Sequence, residues 1–303
     1  MERTGPHREY GIAPSGHQLP DATRLGKVSL QVSDLDRSIA YYRDLLGLRV
    51  LDQDRTVARL AIPQANDHLI ELRYERGTRP VARGETLGLY HFAILLPSRA
   101  ALGQFVRHLA SANVPFGAAD HLVSEAIYLW DPDGLGIEVY ADRPREAWRT
   151  RGRELVMTTD RLDLHSVMDA AGSGTWNGMP AETTMGHMHL SVSDLNAARS
   201  FYHEGLGLAT TVWSYPGALF MSAGGYHHHL GTNRWAMGAR PPVESDARLL
   251  AWELVLPSRA DIAAAAASVR AAGYDARDDI VIDPWGTALV LKAASEACWA
   301  PAT

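Results

Sequence analysis

The residues in this chain best suited to chemistry are histidines in segments that alternate like strands. There are 13 histidines among 303 residues; His91, His187 and His189 stand in such segments, and Tyr226-His227-His228-His229-Leu230 holds three in a row. Near neutral pH an imidazole can hold a divalent metal or move a proton, as its neighbours dictate. On a strand, His227 and His229 face one way and His228 the other, so the whole run cannot serve one site. Each candidate also has a plain structural reading. A single strand histidine such as His91 is most simply a hydrogen-bonded core residue, His121 a turn-stabilising side chain and Tyr128 an inward-packed aromatic.

The elements that must position these groups come from a repeat. Val28-Ser29-Leu30-Gln31-Val32-Ser33-Asp34-Leu35 returns as Met188-His189-Leu190-Ser191-Val192-Ser193-Asp194-Leu195. Leu96-Pro97-Ser98-Arg99-Ala100 returns as Leu256-Pro257-Ser258-Arg259-Ala260 in the same register, 160 residues on (188 − 28 = 256 − 96). Within each half, an alternating strand leads to Asp at a helix N-cap, an apolar pattern at helical spacing and further short strands, and the same grammar begins again in the following module. The pattern predicts four βαβββ modules: one with strands at 26–33, 56–62 and 68–74, two over about 88–141, three over about 185–236 and four over about 248–292. In module four the Ala-rich helix 260–272 reads as packing surface. Asp34 and Asp194 are most simply helix caps.

The predicted organisation is an α+β protein with an N-terminal arm (1–23, loosely held), a first domain of modules one and two (24–141), a strap (142–184), a second domain of modules three and four (185–295) and a tail (296–303). A structureless strap of that length would be unusual, so it is expected to be ordered, with Trp148 and Trp176 as anchors. The formal charge of −6 argues against a nucleic-acid or anionic-membrane surface. No stretch of about 18 apolar residues suggests a membrane span. The single cysteine, Cys298, and the absence of a signal-peptide pattern point to a cytoplasmic protein acting on a small molecule.

Four modules with these sequences resemble the vicinal oxygen chelate superfamily, which includes glyoxalases, bleomycin-type resistance proteins and extradiol dioxygenases. The resemblance covers nearly all of 24–295. His121, Ile127-Tyr128, Asp131-Pro132, Gly134 and Glu138 follow the spacing of the extradiol signature, and Gly88-Leu89-Tyr90-His91-Phe92-Ala93-Ile94 is similar to catechol 2,3-dioxygenase-like proteins. Ala119 departs from the signature at a position without chemistry. The resemblance implies that His91 and Glu138 are metal ligands, with Tyr128 and His121 beside the substrate.

An iron(II) oxygenase needs a second imidazole. In the repeat register, module one offers Lys27, which cannot bind a metal while protonated. Module three offers His187, with His189 a competitor on the same face, and module four offers Ala251 and Val290. Neither sequential pair of modules has a full set, so modules two and three are expected to pair around the metal and one and four to pair separately. A homo-oligomer whose subunits complete the site is the alternative.

The histidine run resembles the segment that supplies an acid–base histidine in extradiol enzymes. Alignment on Leu230 favours His228 as that catalytic residue, whereas alignment on Gly224-Gly225 favours His229, which could serve as a fourth metal ligand. The resemblance therefore implies an Fe(2+)-dependent dioxygenase acting on an aromatic diol and dioxygen. The alternatives are a glyoxalase-like lyase or isomerase in which His91, Glu138, His187 and His229 hold Mn, Zn or Ni, and a protein that binds an aromatic ligand without turnover.

Overall fold

The computed structural model describes residues 10–236 and 238–294. Cys298, the tail 296–303 and the first nine residues of the arm lie outside the described residues.

Module one comprises β1 (Arg24–Val32), α1 (Leu35–Ala40), β2 (Arg49–Gln53), β3 (Val57–Ala61) and β4 (Ile70–Tyr74). Module two follows with β5 (Gly88–Leu95), α2 (Arg99–Ser111), β6 (Gly117–Asp120), β7 (Ser124–Trp130) and β8 (Gly136–Asp142). The strap is ordered, holding the hairpin β9 (Thr150–Arg151) and β10 (Glu154–Leu155) and the helix α3 (Leu164–Ala170). Module three is β11 (Thr184–Ser191), α4 (Leu195–Ala198), β12 (Ala209–Val212), β13 (Ala218–Ser222) and β14 (Leu230–Asn233). Module four is β15 (Arg248–Leu256), α5 (Arg259–Ala271), β16 (Ala276–Arg277), β17 (Ile280–Ile282) and β18 (Ala288–Ala293). The expected caps Asp34 and Asp194 form, and Ser98 and Ser258 cap the other two modules; each accepts a backbone N–H of the first helical turn.

The modules join as two eight-stranded sheets. One runs β16-β17-β18-β15-β1-β4-β3-β2 and unites modules four and one; the other runs β12-β13-β14-β11-β5-β8-β7-β6 and unites modules three and two. Each of the sequence segments 24–141 and 185–295 thus gives one module to each sheet. At the seam of the second sheet, β5 and β11 run antiparallel, with His189 opposite His91 and His187 opposite Ala93. One face of each central strand packs into the core, as with Phe92 and Ile94 on β5 and Met188 and Leu190 on β11. Alternation sends the intervening histidines to the other face.

The sheets are tied by a repeated contact. The Tyr42 hydroxyl of module one donates to Asp131 of module two at 3.1 Å, and that of Tyr202 of module three donates to Asp283 of module four at 2.8 Å. Both acids begin an Asp-Pro-x-Gly turn and accept backbone N–H groups within it.

Module one completes its βαβββ unit with β2, for which the sequence pattern gives no range; as a sheet edge with mostly exposed residues it lacks the alternating apolar signal. Two expectations change. The arm is not loosely held over its described part: Leu19 is buried, Ile12 bridges to Thr210, and the Tyr10 hydroxyl donates to the Gly225 carbonyl. The histidine run precedes its strand rather than beginning it, because β14 starts at Leu230. Positive φ at Gly224 and Gly225 turns the chain, and residues 226–229 follow as irregular backbone to which strand alternation does not apply.

Candidate metal centre

His91, Glu138 and His187 converge. Their ligand atoms lie within 4.8 Å of one another and all three side chains are buried. β5 carries His91, β8 lies parallel to β5 and sets Glu138 beside Ala93, and β11 brings His187 across the seam. Glu138 Oε2 stands 2.9 Å from His91 Nε2 and 3.2 Å from His187 Nε2. His91 Nε2 meets the carboxylate out of hydrogen-bond alignment. Two buried imidazole nitrogens and a carboxylate converging on one point fit a divalent cation.

The electrostatics favour the metal-ready protonation states. Burial pushes the His187 imidazole down to about 4, so it is a neutral donor at pH 7. Burial works against the charge of Glu138, but the facing imidazoles, His187 foremost, hold its carboxyl well below the usual range.

The triad opens into a cavity of about 570 Å³ whose lining includes Tyr90, His121, Tyr128, Phe220, His228 and Trp235. His121 Nδ1 lies 2.6 Å from the Thr158 carbonyl and His121 Nε2 lies 2.6 Å from the Tyr128 hydroxyl. A carbonyl only accepts, so Nδ1 carries the proton and Nε2 accepts from Tyr128. Burial, with the Glu138 charge next in weight, raises the Tyr128 phenol well above 10.

His228 also lines the cavity, its ring 4.0 Å from that of His187 between centroids. Its Nδ1 lies 2.8 Å from His227 Nδ1, and His227 Nε2 lies 2.9 Å from Asp142 Oδ1. The carboxylate fixes the proton of His227 on Nε2, which makes His227 Nδ1 an acceptor for His228 Nδ1–H. The remaining nitrogen of His228, Nε2, is then its basic atom. Burial holds the His228 imidazole well below its ordinary value.

His229 is not brought to the triad. Its Nδ1 is taken by Ser222 Oγ and the Ala223 N–H, and it lines a different, smaller cavity with Asp21 and Arg145. His189 shares the face of His187 but stands outside the triad, stacked edge-on against His91 and Tyr90. The aromatic wall of Tyr90, Tyr215, Phe220 and Trp235 was not foreseen from the sequence, because its members are scattered over two strands and two loops.

Comparison with known proteins follows the same lines. The family model described as Glyoxalase/Bleomycin resistance protein/Dioxygenase superfamily matches residues 24–139 and 184–291. The chain belongs to this superfamily. A superfamily relative named Catechol-2,3-dioxygenase, from Bacillus subtilis, is 41% identical over 84% of this chain and 90% of its own length. The Lactoylglutathione lyase of Salmonella typhimurium is 30% identical over 38% of this chain and 90% of its own. In fold, a Bacillus subtilis crystal structure matches with a TM-score of 0.63 at 14% identity over 93% of this chain and 88% of its own. A glyoxalase I mutant from Zea mays matches with 0.55 at 17% identity over 91% and 94%.

The repeated superfamily module also locates the position equivalent to Glu138. Counting seven residues back from the caps Ser98 and Asp194 lands on His91 and His187, and counting five back lands on Ala93 and His189. Parallel pairing sets Glu138 beside Ala93 and Gly231 beside His189. The fourth position of this two-module site is therefore a glycine. The ring of His189 lies over it, 3.0 Å from where a Cβ would stand.

Proposed function

We propose that this protein is an Fe(II)-dependent extradiol dioxygenase that cleaves the ring of a catechol-type aromatic diol. The observation that carries the reading is a two-histidine, one-carboxylate triad whose fourth symmetric position is Gly231. Such a set leaves coordination positions open, whereas a four-ligand lyase site would fill that position with a donor side chain. The relatedness to the Bacillus subtilis Catechol-2,3-dioxygenase over most of both chains supports the same reaction class.

Iron(II) bound by the triad would supply adjacent open positions for both oxygens of the diol and for dioxygen. The chain's own groups then set orientation and proton traffic. Tyr128 spends its proton on His121, so its oxygen faces the cavity as an acceptor for a diol hydroxyl. Thr158 keeps His121 in the tautomer that permits this. Through His227, Asp142 holds His228 with Nε2 unprotonated, placed to take a proton from one reacting oxygen and return it to another. The aromatic wall excludes bulk water and offers a flat ring a face to stack on.

The test is anaerobic reconstitution with Fe²⁺, then catechol and air, with the ultraviolet–visible spectrum and oxygen uptake recorded together. A yellow ring-fission product with one dioxygen consumed per catechol is expected. Iron bound in full with no oxygen consumed across a panel of substituted catechols would sink the proposal, and metal exchange would then examine lyase chemistry.

A further inference from the structure

A second chamber of about 450 Å³ adjoins the metal cavity, and Arg83, Tyr90, Trp130 and Trp235 line both. Its far wall comes from module four, through Ala247, Arg248 and Leu249 at the start of β15 and the turn Trp285-Gly286-Thr287. Module four and its partner, module one, hold Ala251 and Lys27 at the positions where the other two modules hold His91 and His187.

Among the described residues lining this chamber, the only charged ones are Arg83 and Arg248. Among the described residues, neither has an ion-pair partner. Arg83 rests its guanidinium 4.3 Å above the Trp130 ring, at the junction of the two chambers. Arg248 has a buried Nε with no hydrogen-bond partner. The nearby carboxylates are committed elsewhere: Glu85 and Asp246 to Arg79 and Arg240, and Asp133 to Arg37. Two cations without counter-charges, beside a ring-sized cavity, constitute an anion-binding pocket.

We propose that this chamber binds a carboxylate carried on a side chain of the aromatic diol, with Arg248 as the anchoring cation and Arg83 as the one at the junction. The ring then occupies the metal cavity and the side chain passes the Tyr90–Trp235 wall. The metal-free module pair contributes to substrate recognition through Arg248. This assignment rests on the diol reading for the ring and adds the anionic side chain, with the arginines as specificity residues.

The experiment uses a catechol with a carboxyalkyl side chain and its primary amide, which differ in charge and little in shape. Binding to the Fe²⁺-loaded protein is measured anaerobically by quenching of tryptophan fluorescence, and turnover is measured separately by oxygen uptake. The carboxylate is expected to bind about tenfold to a hundredfold more tightly than the amide, the range for a charge-assisted contact. Arg248→Met should remove most of that ratio, and the exposed Arg83→Met should reduce it while serving as the check if the Arg248 variant does not fold. Equal binding of acid and amide, a preference surviving both substitutions, or carboxylate binding that fails to compete with plain catechol would each overturn the proposal. A carboxylate preference without oxygen uptake would leave the pocket standing and defeat the dioxygenase reading. Turnover without a preference would do the reverse.

Discussion

His187 Nε2 lies 3.2 Å from Glu138 Oε2, although the two side chains come from different modules separated by the strap. Their meeting depends on the antiparallel seam of β5 and β11, and it puts the whole candidate ligand set within one chain.

His187→Ala should therefore abolish stoichiometric metal binding. Outer-shell changes alone cost about ten- to a hundredfold in metal affinity, and loss of a ligand should exceed that. Metal content after dialysis and oxygen uptake are the readouts, and retention of both would refute the assignment.

Tyr128→Phe removes the acceptor that faces the diol and leaves His121 without its phenol partner. Turnover should fall by about a hundredfold, within the range for a positioned proton-transfer group, with iron content unchanged. His121→Gln, with Thr158 still in place, should give a smaller loss. Equal kcat for Tyr128→Phe and the parent protein would exclude this role.

Asp142→Asn disturbs the tautomer chain without touching the triad. An amide could present its N–H to His227, reversing the donor order and placing a proton on His228 Nε2. We expect kcat to drop about tenfold or more while KM for the diol changes little, and the pH profile to shift. An unaltered profile would separate His228 from the proton traffic.

Asp131 links stability to pH. Burial raises its carboxyl from the ordinary 3.8 to about 7, against the hydrogen bonds it accepts from Leu135, Asp133 and Tyr42. Between those values the folded chain binds more protons than the unfolded chain, so this group's contribution is full below about 4 and is lost as pH rises toward 7. The loss is at most about 4 kcal/mol, at about 1.4 kcal/mol for each pH unit between the two values. Asp131→Asn should flatten the dependence of the denaturant midpoint on pH across that window; an identical slope would contradict the assignment.

Removal of the metal should lower the melting temperature without unfolding the chain, since one apolar core that excludes the triad runs through all four modules. A ligand at a thousandfold excess over its Kd adds about 4 kcal/mol to the folded state. The melting temperature should therefore climb with added Fe²⁺ in the parent protein and stay flat in His187→Ala.

Much of this molecule is written locally. The Asp and Ser caps, the alternating strands and the repeat register depend on neighbours in sequence, and they specify four modules and place His91 and His187 in corresponding first strands and Glu138 in the last strand of module two. The lack of a complete set in either sequential pair already pointed to modules two and three together. Edge strand β2 was hidden because its solvent-facing residues carry no apolar alternation. The histidine run was misplaced because the turn at Gly224-Gly225 ends strand geometry before it begins.

The tertiary structure decided what depends on contacts between distant segments. It turned His228 toward the cavity and His229 away, set Gly231 at the fourth symmetric position, and gathered the aromatic wall and two chamber-lining arginines from separate modules. Local sequence determines which face of a strand a side chain occupies. Burial of that face against another module determines what it meets, and that information lies in packing rather than spacing.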